Sequence, residues 1–343
     1  MNVPESKETI QFAVLDSVLY GAAKAVDYLG MEGQVMLDKI GEGMLDYFVK
    51  VGYIKDRSNF DNVSEGLKKF FRENGYIADV GYEEEADVTT FTYRGWEYLG
   101  IMRKLRSEGC TLYSCPLCLP GFSFMRSKSI VMEPISEYFL PDGAFVRRYR
   151  CVGANPNAAP SYMMPPNAPD LGMVKPNHGG KVGLGAFEAV EYGLARGFAY
   201  LGAQAQLLLD HVGRGVIEFL REELQANLAM EHAKSIEELS ALYASQGLAD
   251  KIECHASGSE IRVKFQNYRY ASVLERLQKE DVQLISCPFT LATRAILRDA
   301  GFAVRKADWT IEAGRDVQLT MSLVKLADKS FDEDRVASLM DSV

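Results

Sequence analysis

Four of the six cysteines in this 343-residue chain lie between positions 110 and 151, and no other cluster in the sequence is so well placed to do chemistry. The spacing Cys110-x4-Cys115-x2-Cys118, completed by Cys151, has the ligand count and softness that zinc or an iron–sulfur cluster takes. Cys115 and Cys287 each stand between a serine and a proline, where a strand is expected to end and a helix to begin. A thiol at such a point meets the positive end of the helix dipole, which lowers its pKa and suits it to act as a metal ligand, redox thiol or nucleophile. Cys115 is therefore the candidate catalytic residue. The plainer alternative is a small buried residue at a tight junction, the usual setting of a free cysteine.

Aromatic side chains form the second candidate set. Tyr93, Trp96 and Tyr98, and at matching positions Tyr268 and Tyr270 beside Cys287, offer flat rings with one polar atom. Such rings suit either a pocket for an aromatic ligand or the edge of a core. The histidines His178, His211, His232 and His255 show no metal-ligand spacing. Gly183-x-Gly185-x-x-Glu188 lacks the third glycine and the preceding strand of a dinucleotide site, and no HExxH, Walker loop or nucleophile elbow occurs.

The elements that must position these residues are written twice. Tyr20-Gly21-Ala22-Ala23 returns as Tyr192-Gly193-Leu194-Ala195, and Gly41 and Gly43 return as Gly213 and Gly215. Ser114-Cys115-Pro116 returns as Ser286-Cys287-Pro288, and the pairs Asp38/Asp210, Glu108/Glu280 and Arg126/Arg298 keep the same register. Periodicity predicts helices over about 8–30, 31–50, 63–73, 97–107 and 116–127, and strands over about 76–82, 88–94, 129–139 and 144–151, with the same order in the second copy. The expected class is α+β: two copies of amphipathic helices on an antiparallel sheet, packed together as an intramolecular pseudo-dimer. Paired glycines inside helices predict a close approach, by another helix or by a ligand. A residue kept in both copies serves the shared fold. One present in a single copy marks where a special function could sit, and Cys110, Cys118 and Cys151 have Val282, Thr290 and Leu323 as counterparts.

The first copy is assigned to 8–152, a proline-rich extended connector to 153–180, the second copy to 181–325 and a tail to 326–343. A net charge of −9 without a basic stripe argues against nucleic acid as a partner. No apolar run reaches the ~20 residues of a membrane span. The polar start from Met1 to Thr9 lacks the apolar core of a secretion signal, so a cytoplasmic location is expected.

Read together, several features resemble the 4-vinyl reductase, or hydrocarbon-binding, domain family, which is related to TRAPP-type tethering subunits. They are the glycine-bearing helix Leu209 to Leu220, the Gln246-Gly247-Leu248 turn into paired strands, the cysteine that opens a helix, and the closing strand–Gly–strand unit around Gly314. The resemblance implies helices and a sheet enclosing an apolar pocket for a small, often aromatic molecule. In some members it also implies zinc held by that cysteine with further Cys and Glu ligands in the closing strands. Here those strands carry Glu133 and Glu137 in the first copy and Trp309 and Glu312 in the second, with no cysteine in the hairpin turn. The functional expectation is a binding protein or sensor for a small apolar or aromatic ligand, with a protein partner supplying any output. The alternatives are an enzyme using the first-copy cysteines, or a scaffold.

Overall fold

The computed structural model describes residues 8–30, 33–153, 161–165, 168–202, 205–228, 232–257, 259–282, 286–312 and 314–326. The first half runs β1 (Thr9–Gln11), α1 (Phe12–Tyr28), α2 (Gly33–Lys50), α3 (Phe60–Glu73), β2 (Asp79–Glu85), β3 (Val88–Arg94), α4 (Leu99–Ser107), α5 (Cys118–Ser127), β4 (Ile130–Phe139) and β5 (Phe145–Gly153). The second repeats that order as β6 (Lys181–Gly183), α6 (Leu184–Ala199), α7 (Ala205–Glu222), α8 (His232–Ser245), β7 (Lys251–Ser257), β8 (Glu260–Gln266), α9 (Ala271–Lys279), α10 (Pro288–Asp299), β9 (Phe302–Ile311) and β10 (Val317–Lys325). Each half owns an antiparallel four-stranded sheet, ordered β2-β3-β5-β4 in one and β7-β8-β10-β9 in the other. The class is α+β, two similar halves of helices and sheet.

The halves are interlocked. The helix pairs α1 with α7 and α2 with α6 make the main seam, and β1 pairs antiparallel with β6 across it. Glycine explains how the helices come so close. A Cβ on Gly215 would lie 2.7 Å from Gly21 Cα, and one on Gly43 would lie 3.1 Å from Gly193 Cα. The second of each helix's two glycines thus faces the other half. The first faces its own half: a Cβ on Gly41 would stand 2.3 Å from the Leu119 carbonyl oxygen, and one on Gly213 would stand 2.1 Å from that of Leu291. The close approach expected from the sequence is therefore helix against helix on opposite faces, and no ligand is needed to explain it.

Residues shared by the copies hold this frame. Ser114 Oγ donates to the Leu19 carbonyl at 2.6 Å, and Ser286 Oγ donates to that of Glu191 at 3.0 Å. Arg126 pairs with Asp38 at 2.7 Å, and Arg298 pairs with Asp210 at 3.0 Å. Asn59 caps α3 by accepting from Asn62 N.

The connector is a strap laid on the first half. Buried Tyr162 donates to Asp38 at 2.6 Å, and Leu112 bridges Met163. His178 joins Asp16 on α1 to Glu223 just after α7, at 3.1 Å on each side. The tail expected over 326–343 lies, beyond Leu326, outside the described residues. No described helix is long and apolar enough to cross a membrane.

Candidate functional site in the first half

The closing strands and α5 bring a buried polar cluster together under the first-half sheet. Cys118 opens α5, and its backbone N–H donates to Cys115 Sγ at 3.3 Å. Tyr93 on β3 places its hydroxyl 3.8 Å from Cys118 Sγ. From β5 comes Arg147, only 1% exposed, whose Nε lies 2.7 Å from Glu137 Oε1 on β4. Arg106 on α4 binds the other Glu137 oxygen and the Tyr113 hydroxyl, while the Arg147 guanidinium lies over the Tyr113 and Tyr149 rings. The buried Arg147 Nη2, Tyr149 Oη and Trp96 Nε1 find no hydrogen-bond partner among the described residues. The second half also leaves Thr290 Oγ1, Thr293 Oγ1 and Trp309 Nε1 unpaired at the equivalent place; what the first half adds is a buried charge, the Arg147 guanidinium.

Beside it lies a cavity of about 40 Å³ lined by Leu67, Phe91, Tyr93, Leu117, Cys118 and Phe122, with half-buried Phe60, Ser64 and Val80 at its rim. Gly121 leaves this space open, since a Cβ there would meet only Phe60, at 3.7 Å. In the second half the equivalent positions hold Ile236 for Ser64, Phe289 for Leu117, Thr293 for Gly121 and Arg294 for Phe122, all buried. Phe289 stands edge-on to Phe265 at 5.5 Å, and Arg294 turns away to bind Asp210 at 2.9 Å. In the first half the strap's Tyr162 takes that second bond to the aspartate, which frees position 122 for an apolar side chain.

Burial, more than the helix dipole, sets the thiols. It pushes the Cys115 thiol well up, Cys287 to about 12 and Cys110 to about 11. Cys118 goes the other way. Burial alone would raise it, but the hydrogen bond with Cys115, the Arg147 charge and the Tyr93 hydroxyl together bring it below the usual thiol range. Of this buried pair Cys118 is the lowered member and the one that lines the cavity, while Cys115 is the raised one. Cys115, 1% exposed, lies three residues before α5 begins and receives that helix's first backbone N–H on its sulfur, which offsets only part of the effect of burial.

The metal expectation does not fit the geometry. Cys110, Cys115, Cys118 and Cys151 do not gather: Cys151 turns to Thr89, and Cys110 lies near Lys24 and Asp27. Glu137, the closing-strand carboxylate, is taken by two arginines. Among the described residues the one set of three donors close enough for a cation is Glu108, Glu218 and Glu222. Lys24 and Lys104 are threaded through that set and offset most of its charge.

The aromatic expectation narrows to one residue. Tyr93 lines the cavity, whereas Trp96 stacks behind it with ring centroids 4.3 Å apart. Tyr98 and Tyr270 face Ser114 and Ser286 as matching structural contacts, and Tyr268 stacks on Phe265 and donates to Cys287. Arg147, Glu137 and Tyr149 escaped the sequence reading, although their counterparts Leu319, Trp309 and Met321 gave the signal: a charged or polar residue in one copy opposite an apolar one in the other. No family model, curated protein or solved structure matches this chain.

Proposed function

We propose that this chain is a small-molecule-binding protein of the hydrocarbon-binding type, in which the first half binds and the second half, with its space filled, supports it. The cavity beside Cys118 carries this reading, because a glycine and a serine keep it open in one half where Thr293 and Ile236 occupy the other. Its walls are mostly apolar, with Ser64, Tyr93 and Cys118 as its few polar groups, the usual make-up of a ligand site. At about 40 Å³ it admits a molecule of a few heavy atoms as it stands. A larger aromatic guest requires Phe60 to swing outward, which its half-buried position at the rim allows.

Thermal unfolding in the presence of a panel of small apolar and aromatic compounds tests the proposal. A compound at one hundred times its Kd stabilises the chain by about 2.7 kcal/mol. Gly121→Val fills the cavity and is expected to abolish that stabilisation while leaving the unliganded protein folded. If no compound raises the midpoint, or if Gly121→Val responds as the parent does, the binding reading fails and a scaffold becomes the better description.

A further inference from the structure

We propose that Cys115 and Cys118 are a redox-active dithiol, converted to a disulfide by a small hydroperoxide that reaches Cys118 through the cavity. The inference does not depend on which apolar ligand, if any, the cavity also holds. Three features of the first half converge on it. Cys118 is the one thiol that lines the cavity, and Cys115 stands immediately behind it in hydrogen-bond contact with its backbone. A buried guanidinium, Arg147, acts on the Cys118 sulfur and keeps Nη2 unpaired, while the neighbouring Tyr149 hydroxyl is unpaired too. The cavity, at about 40 Å³, has room for a guest of a few heavy atoms. Hydrogen peroxide and the shortest alkyl hydroperoxides have that size, and their oxygens can accept from a guanidinium or a phenol.

The chemistry balances within these groups. The Cys118 thiolate attacks one peroxide oxygen, the O–O bond breaks, and sulfur becomes a sulfenic acid as it gives up two electrons. The leaving hydroxide or alkoxide takes up the proton that the Cys118 thiol released on ionising and departs as water or an alcohol. The Arg147 charge favours the Cys118 thiolate over the thiol. The Cys115 thiol then attacks the sulfenic sulfur, forming the disulfide and expelling one water. Cys115, with its thiol held protonated by burial, is the resolving partner, and a slower thiol suffices because its target is already activated. None of this is available to the second half, where Thr290, Leu319 and Met321 stand at the positions of Cys118, Arg147 and Tyr149.

The test uses the full chain, reduced and then exposed to hydrogen peroxide at equal concentration, quenched with a thiol alkylator and mapped by peptide mass spectrometry. The expected product is a Cys115–Cys118 disulfide, two hydrogens lighter than the dithiol, formed ahead of any change at half-buried Cys151 and Cys254. In Cys115→Ser, dimedone is expected to trap a sulfenic acid on Cys118. Arg147 acts through the sulfur as a positioning residue. Arg147→Met is expected to slow oxidation about tenfold at neutral pH and to shift the rate profile to higher pH, which a merely structural loss would not do. Alkylation of both Cys115 and Cys118 as free thiols, while Cys151 or Cys254 is oxidised, would overturn the proposal. Mapping the unmutated chain decides the matter even if a variant fails to fold.

Discussion

Where β5 of the first half buries Arg147 and Tyr149, β10 of the second places Leu319 and Met321, on the same backbone register and against the same helix. The comparison separates two kinds of buried polar group. Those present in both halves, such as Tyr98 with Ser114 and Tyr270 with Ser286, tie α1 or α6 to the loop before the sheet-side helix and belong to the frame. Those in the first half alone include a buried ion pair, Arg147 with Glu137, beside Cys118, whereas the unpaired groups of the second half, Thr290, Thr293 and Trp309, are neutral. A duplicated fold thus serves as its own control: the second half shows that Arg147 and Glu137 are not required to build the sheet.

The comparison breaks most directly at Glu137. Replacing it with Leu leaves the Arg147 charge buried with no carboxylate beside it and is expected to destabilise the chain by about 3–5 kcal/mol in denaturant unfolding. Introducing the second half's residues together, Glu137→Trp with Arg147→Leu, is expected to recover most of that loss. If the double variant is no better than the single, the pair belongs to the frame after all. The seam offers a smaller effect. Gly21→Ala and Gly193→Ala each place a methyl group under 2.6 Å from an atom of the facing helix. Each is expected to cost about 1–3 kcal/mol despite the gain in helix propensity. Similar costs support an equivalent seam, whereas one tolerated variant would show that the halves meet unequally.

The strap sharpens the contrast at the smallest scale. Asp16 is raised from 3.8 to about 6, chiefly by burial. Burial alone would lower His178, but its hydrogen bonds to Asp16 and Glu223 outweigh that and raise it above 6.5. Glu97, Arg103 and Lys104 are other charged groups facing this set. Both shifts mean that the folded chain binds more protons than the unfolded one, so the stability they supply falls as pH rises. For His178 that stability is complete below pH 6.5 and is lost as pH rises through its folded value. The deficit of His178→Asn, measured by thermal unfolding against the parent, is therefore expected to be greatest below pH 6.5 and to shrink above it. A constant deficit would assign His178 a packing role only.

Much of the fold was legible in the sequence because its signals are local. Apolar spacing placed α1 to α5 and β2 to β5 within a few residues, and the constant offset carried the same order into the second half. The three-residue strands β1 and β6 were missed, since a strand that short and made across the seam carries no periodicity of its own. The interlocking was also hidden, because Gly41 and Gly43 announce close approach without saying which partner approaches. The site was half legible. Cys115, Cys118 and Tyr93 were found from type and spacing, but the tuning of Cys118 depends on Arg147, which lies on a strand that only the folded sheet brings across. Trp96 and Tyr98 were read as pocket rings because composition does not distinguish a ring facing space from one facing another ring.

The seam also bears on how the chain is made. Gly21 meets Gly215, so the nascent first half waits for roughly 200 further residues before α1 finds its partner. At ribosomal speeds of about 5–20 residues per second that interval lasts on the order of ten to forty seconds. During it the small-residue faces of α1 and α2 stand uncovered, and another copy emerging nearby on the same message presents a matching α6 or α7. Joining both halves in one polypeptide raises the odds that the partner met first is its own.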